Sequence, residues 1–371
     1  MKSIGIIGEY NPFHQGHSYL IEKAMKTTGA EVCVTVMSGN FTQRGTPAVS
    51  DKWDRAKAAV QNGVNVVVEL PVVYACNSAE YFARGGVKIL EGFGCLDYLA
   101  FGSESGDIDQ LNAVADFLKE HNAELHTRIS ELIKHGNSYP KARLMAALEI
   151  DPEFDESIIK EPNNILAVEY LKSVTSITPV TIKRRGAGYH ESAEKIRDSL
   201  YDEDHGFYDA MERAYFKLVC AKILQSNGKY LEDISSAGEG LGNKLINEIR
   251  YVNSTEQLIE RIKSKAYTRT RIYRLLTQVL LDIDRESVRN AKPYIRLLAL
   301  DDIGAKFIKE MKKDKSCKLP IITNINREKE EFPEIGPTLH KDILASDMYN
   351  IITGKDLYDY SDYIKAPFIG L

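Results

Sequence analysis

Paired cysteines, long apolar runs and an excess of positive charge are all missing from this chain. Its five cysteines, Cys33, Cys76, Cys95, Cys220 and Cys317, are odd in number and widely spaced, and no Cys-x-x-Cys occurs. That argues against a disulfide framework and a zinc ribbon, and it fits a reducing compartment. The apolar run Ile4–Ile7 is far too short for a signal peptide or a membrane span. No other stretch approaches ~18 uninterrupted apolar residues. A cytoplasmic protein with no membrane partner is therefore expected. The net charge is −5, so nucleic acid, if bound, must meet a local patch and not the whole surface. Neither an internal repeat nor a low-complexity segment is present.

What is there is ordinary in bulk: 43% hydrophobic and 27% charged residues, in 371 residues. That length has room for two domains at ~150 residues each. The first half alternates strands and helices. Strands are predicted over Lys2–Gly8, Glu31–Met37, Val64–Leu70, Tyr98–Phe101 and Val180–Arg184, with helices over Ser18–Lys26, Lys52–Asn62, Tyr81–Leu90 and Asn164–Ser173. Asp107–Leu148 is helical in pattern, with a break at Gly136–Pro140. Such alternation implies an α/β fold, a parallel sheet covered on both faces. Beyond about Glu203 strand signals fade and helical patterns dominate, including Tyr208–Leu224, Thr255–Lys263 and Arg269–Asp282. Two domains are expected, 1–202 and a mainly helical 203–371.

The most informative stretch is "GEYNPFHQGH", between the first strand and its helix. A helix start has unpaired N–H groups and a partial positive charge, so a strand–turn–helix junction is a natural anion site. Gly8 and Gly16 let the backbone approach a phosphate. Pro12 stiffens the turn, and Asn11 can hold it through its side chain. His14 and His17 are three apart and share a face once helical. Both could donate N–H bonds to phosphate oxygens, stabilising charge in a phosphoryl or nucleotidyl transition state. The plainer reading is a turn with one capping histidine and one solvent histidine. Zinc is disfavoured, because the spacing differs from His-Glu-x-x-His and no cysteine or third histidine lies near.

This stretch resembles the His-x-Gly-His signature of the nucleotidylyltransferase and class I aminoacyl-tRNA synthetase superfamily. That resemblance implies a Rossmann-like (HUP-type) parallel sheet that binds ATP over the first strand–helix junction and cleaves between the α- and β-phosphates. The superfamily's second motif is of the type S-[ST]-x-x-I-R, and this chain has "SAEKIR", Ser192–Arg197, in the expected place after the last strand, with Ser192 and Arg197 matching. Further stretches are more specific: "GNFTQRGTPA" (39–48), "DKWDRA" (51–56), "ELPVVYACNSAEYFARGGV" (69–87), "FGSES" (101–105), "EPNNILAVEYLK" (161–172) and "KRRGAGYH" (183–190). In this order they resemble the bacterial tRNA(Met) cytidine acetate ligases, strongly over about 1–200 and more weakly beyond, mainly through "YTRTRIYRLL" (267–276). The resemblance implies that acetate and ATP form acetyl-AMP, and that the acetyl group passes to the N4 amine of the wobble cytidine of elongator tRNA(Met). One departure stands out. The family pattern has a longer insertion before the second motif, with a threonine where Glu194 stands here, and a carboxylate there would repel phosphates.

The resemblance implies that His14 and His17 are catalytic. It implies an ATP site built from Ile7, Gly8, Glu9, Tyr10, Asn11, Pro12, Phe13, His14, Gln15, Gly16, His17, Ser18, Tyr19 and Leu20, with Gly102, Asn163, Asn164, Arg184, Arg185, Ser192 and Arg197. Plainer roles stand beside these. Gly102 could be a turn glycine, one of the two asparagines a cap, and one of the two arginines a solvated charge. Lys52 opens a helix where acidic residues are usual, which hints at pyrophosphate or tRNA; a surface lysine is the alternative. For tRNA the candidates are Lys52, Lys263, Lys265, Arg269, Arg271 and Arg274. Between Ile259 and Arg296 there are ten Lys/Arg against four Asp/Glu, with Tyr267 and Tyr273 interleaved. That mixture suits RNA, although a solvated helix face has the same composition. ATP chemistry calls for Mg²⁺ as companion ion, but no acidic metal cage is visible in the sequence. Two rivals remain at this point: a nucleotidylyltransferase for a small metabolite, and a non-catalytic tRNA- or ribosome-associated protein with a degenerate nucleotide pocket.

Overall fold

The computed structural model describes residues 1–184, 193–238, 240–264 and 267–370. Arg185, Ser192 and Lys265 lie outside the described residues. Five parallel strands form where the sequence puts them: β1 (Ser3–Gly8), β2 (Val32–Ser38), β3 (Val66–Leu70), β4 (Tyr98–Ser103) and β5 (Thr178–Lys183). Their spatial order is β5-β4-β1-β2-β3, with Ile4 opposite Tyr98, Gly5 opposite Val34, and Val34 opposite Val66. Every residue of β2 and β3 is buried, as a sheet covered on both faces requires. Successive residues of β1 face opposite ways. Ile4 and Ile6 pack with Ile21 and Ala24 of helix α1 (Gln15–Thr28) and with Ala56 and Ala59 of α2 (Lys52–Gln61). Ile7 faces the larger core, with Phe82, Val87 and Leu90 of α3 (Ala79–Gly92) and Leu111 and Val114 of α4 (Ile108–Glu120). Helix α5 (Pro162–Ser173) completes that layer through Ala167 and Val168.

The expectation that strands end near Glu203 is corrected by the structure. A fully buried strand, β6 (Ile295–Leu300), runs antiparallel to β3, and two-residue strands β7 (Ile321–Ile322) and β8 (Phe368–Ile369) pair with it. Arg296 is the second residue of β6 and interrupts the apolar run that would mark a buried strand. Its burial is possible only because two carboxylates meet it there, Glu69 at 3.0 Å and Asp362 at 2.9 Å.

Otherwise the second half is helical, including α6 (Ala193–Glu203), α7 (His205–Gln225), α8 (Thr255–Ile262), α9 (Arg269–Leu280) and α10 (Gly336–Thr353). It is fastened to the first half by named bonds. Thr277 Oγ1 donates to the Gly45 carbonyl at 2.7 Å, Gln278 Nε2 to that of Cys76 at 2.8 Å, and the Tyr349 hydroxyl to that of Ala48 at 3.0 Å. Gly45 has φ +84° and lies against the α9 backbone, where a Cβ would come 2.3 Å from the Arg274 nitrogen. Among the described residues no helix is long and apolar enough to cross a membrane.

Candidate active site

The strand order reverses beside β1: α1 leads away to β2, while β4 lies on the other side. Open α/β sheets bind ligands at such a switch point, beyond the carboxyl ends of the strands. The residues brought there are the β1–α1 turn, Gly102 at the end of β4, Arg184 just after β5, and Asn163 in the first turn of α5. The turn has a cis peptide at Asn11–Pro12, and Tyr10 takes a positive φ of 46°. Several bonds hold it. The Val49 amide donates to Asn11 Oδ1 at 2.8 Å, Arg197 Nη1 donates to the Asn11 carbonyl at 2.9 Å, and Glu9 Oε1 accepts from Ser38 Oγ and from the Gln43 amide.

His14 is the N-cap of α1, and the cap sets its chemistry. Its Nδ1 accepts from the Gly16 amide at 3.0 Å, and its own amide donates to His17 Nδ1 at 3.2 Å. A neutral imidazole that accepts at Nδ1 carries its proton at Nε2. The two-histidine capping box therefore makes both rings Nε2–H donors. They stack with centroids 3.7 Å apart. A side chain at position 16 is excluded, because its Cβ would lie 2.8 Å from His14 Cε1. Tyr10 and Phe13 close around His17, with centroids at 4.9 and 5.4 Å. Burial, then the neighbouring His14 and Arg184, hold the His17 pKa well below the usual histidine value. His17 is thus neutral at physiological pH, a donor and not a cation. The first turn of α1 contains no acidic residue, unlike that of α2 with Asp54 or α4 with Asp109. Its dipole is therefore not offset by a carboxylate from its own turn.

The other helix start at the switch point is already occupied. Glu104 accepts from the Asn163 and Asn164 amides and from Asn163 Nδ2 at 2.6 Å, so α5 is capped by a carboxylate. Asn164 is buried, and its Oδ1 accepts from the Glu104 and Ser105 amides. It shapes the loop after β4. Asn163 remains at the surface of the crevice, where its Oδ1 accepts from Arg184 Nη1 at 3.4 Å. Gly102 lies under that arginine, whose Cγ would be 3.3 Å from a Cβ at position 102. Glu194 is exposed on α6, while Arg197, one turn on, reaches the turn. Burial, with Arg44 close by, lowers the Arg197 pKa, as expected where cations converge.

Arg55 was missed from the sequence. It is buried, and its guanidinium donates to the carbonyls of Glu9, Ser38, Gly39 and Ser50, joining the ends of β1 and β2. The signal for it was positional: Lys52 and Arg55 are three apart on the face of α2 that also carries Ala56 and Ala59, so two cations lie on a core-facing stripe.

Lys52 as a tRNA contact is corrected. It is 0% exposed, and its Nζ meets Glu69 at 2.8 Å and Asp362 at 2.8 Å. With Arg296 it completes a buried group of two cations and two carboxylates, and no RNA can reach it. The other described candidates stand on or near α9. Lys263 and Arg269 are exposed, and Arg269 is paired with Glu256. Arg271 Nε donates to the Ser236 carbonyl at 3.1 Å with its guanidinium 5.3 Å from the Tyr267 ring centroid. Arg274 is only partly exposed, and its Nε has no hydrogen-bond partner among the described residues.

Three comparisons bear on this geometry. A family model described as HIGH Nucleotidyl Transferase matches residues 1–361. A tRNA(Met) cytidine acetate ligase of Caldanaerobacter subterraneus subsp. tengcongensis is 38% identical, over 95% of each chain, and one of Clostridium novyi is 36% identical, over 99% of each. A Clostridium perfringens relative of the same name is 35% identical, over 100% of each chain. A crystal structure of Thermotoga maritima TmcAL bound with alpha-thio ATP superposes with a TM-score of 0.88 at 30% identity, covering 100% of this chain and 99% of that one. The apo form of the same protein gives 0.90 at 29% identity. The chain belongs to the HIGH nucleotidyl transferases and, within them, to the family of the tRNA(Met) cytidine acetate ligases.

Proposed function

We propose that this chain is an ATP-dependent ligase that acetylates the N4 amine of the wobble cytidine of elongator tRNA(Met), with acetate as the acyl donor. The relatives' shared name and the ATP analogue bound by the Thermotoga maritima neighbour support the reading. The observation that carries it is the pair of Nε2–H donors fixed by the His14–His17 capping box at the switch point. A carboxylate substrate is itself a nucleophile, so no protein nucleophile is needed. An acetate oxygen attacks the α-phosphorus, the bond to pyrophosphate breaks, and acetyl-AMP forms. The cytidine amine then attacks the acetyl carbonyl carbon, the bond to AMP breaks, and the amine loses one proton. The protein's task is to hold two mutually repelling anions together and to stabilise the leaving charge. We assign that task to His14, His17, the α1 start, Arg184 and Arg197.

Mg²⁺ enters as the companion of the ATP phosphates. Among the described residues no group of three or more His, Cys, Asp or Glu is placed to hold a metal ion, so phosphate oxygens would be its main ligands. We assign the adenylate chemistry to residues 1–202 and the tRNA contacts to the basic side chains of 203–371, in the cytoplasm. The reading of a degenerate pocket rested on Glu194, and Arg197 of the same motif nevertheless reaches the Asn11 carbonyl. The test is mass spectrometry of tRNA(Met) after incubation with the protein, ATP and isotopically labelled acetate. Label on the wobble cytidine, dependent on ATP, is expected. Unlabelled tRNA together with an adenylylated small molecule would overturn the reading.

A further inference from the structure

Outside the phosphate site, one cavity combines features that recognise a particular kind of ligand. It has a volume of about 310 Å³ and lies between α7, α9 and the loop at Thr46–Pro47. Its lining includes Tyr201, Tyr208 and Tyr273, together with Asp209 and Glu212. That volume falls at the small end of ligand pockets.

Its position ties it to the active site twice. The Thr46–Pro47 loop lies between Gln43, whose amide donates to Glu9, and Val49, whose amide donates to Asn11. Helix α6 carries Arg197, which bonds the Asn11 carbonyl, and Tyr201, four residues later on the same face. The cavity therefore begins one helical turn from the turn that holds the phosphates. Tyr201 is fixed in place, since its hydroxyl donates to Asp209 Oδ1 at 2.8 Å and its ring lies 6.2 Å from that of Tyr208. The Arg269 guanidinium, paired with Glu256, sits 5.4 Å from the Tyr273 ring centroid and covers that ring.

Tyrosine walls offer stacking surfaces to a planar ring. Carboxylates accept from exocyclic amines and repel phosphates, so they select the base and not the backbone. We propose that this cavity receives an unstacked anticodon-loop base bearing an exocyclic amine, a cytosine or an adenine. The inference rests on the tRNA reading given above. It adds Tyr208, Asp209 and Glu212 as determinants of which RNA is accepted.

The test uses the full chain, Asp209→Asn, Glu212→Gln and Tyr208→Leu, and transcripts of tRNA(Met). Two readouts are taken: acetate-dependent exchange of pyrophosphate into ATP, which needs no RNA, and KM and kcat for tRNA acetylation. For the carboxylate variants the exchange rate should match that of the unmodified chain, while KM for tRNA rises roughly ten- to a hundredfold. Two further transcripts identify the base: one with the wobble cytidine replaced by uridine, read by binding, and one with the unpaired adenosines replaced by purine riboside. The penalty of Glu212→Gln should vanish with one of them, because the amine it recognises is gone. A KM unchanged in all three variants would overturn the proposal. So would a penalty that persists with both transcripts. Loss of exchange in the unmodified chain would count against the ligase reading instead, so the two failures are distinguishable.

Discussion

Replacing Lys52 by methionine should destabilise the protein without weakening its hold on tRNA. The side chain is fully buried, with Nζ at 2.8 and 2.9 Å from the two Glu69 oxygens and 2.8 Å from Asp362. Arg296 bonds the same two carboxylates at 3.0 and 2.9 Å, so the group holds two positive and two negative charges. Burial alone would raise the Asp362 pKa, but Arg296 and Lys52 hold it well below the usual carboxylate range. Removing Lys52 leaves one negative charge unbalanced in a site where no side chain is more than 3% exposed. Breaking a buried ion pair from one side costs about 3–5 kcal/mol. For a chain of this size that corresponds to a fall in Tm on the order of 4–6 °C. Lys52→Met with Glu69→Gln restores neutrality and should recover more than half of the loss, because Arg296 and Asp362 still pair. Thermal denaturation of the three proteins measures this, and filter binding at a temperature where all are folded measures tRNA affinity. A Tm within about 1 °C of the unmodified chain, together with weaker tRNA binding, would refute the burial argument.

Gly45→Ala should weaken the joint between the two halves, since its Cβ would meet the Arg274 backbone at 2.3 Å and φ is +84°; a lower Tm and slower tRNA acetylation are expected, both read on the purified variant. Arg271→Glu should weaken tRNA binding and flatten its salt dependence while acetate-dependent pyrophosphate exchange continues. Arg269→Ala should weaken it less, because Arg269 is already paired with Glu256; the two affinities measured at one salt concentration decide this. The depressed pKa of His17 predicts stability that is intact above about pH 6.5 and falls as pH drops below it, because the unfolded chain then takes up a proton that the folded ring resists. His17→Gln should show a shallower decline in Tm over the same range.

The five parallel strands were legible because four are short runs rich in β-branched residues and β4 opens on the apolar, aromatic stretch YLAF, and the glycine and histidine spacing marked the β1–α1 junction. What was hidden depended on partners distant in sequence. β6 was invisible because Arg296 breaks its apolar run, and only Glu69 and Asp362, from opposite ends of the chain, make its burial tolerable. The same partners turned Lys52 from an apparent anion contact into a buried ion pair. Asn164 was correctly placed at a helix start, but its use as a clip for the Glu104–Ser105 amides needs the β4 loop to be present. His14 was expected either to cap or to bind. The structure shows that it caps, and that the cap is what aims its Nε2–H and that of His17.

In the proposed mechanism the capping-box histidines bind a triphosphate so that acetate can take the AMP. Acetate-dependent exchange of labelled pyrophosphate into ATP tests it most directly, compared between the unmodified chain, His14→Ala and His17→Ala. Exchange should require acetate and fall about 10²–10³-fold in each variant, with tRNA affinity unchanged. Exchange of equal rate in all three proteins, or exchange without acetate, would contradict it.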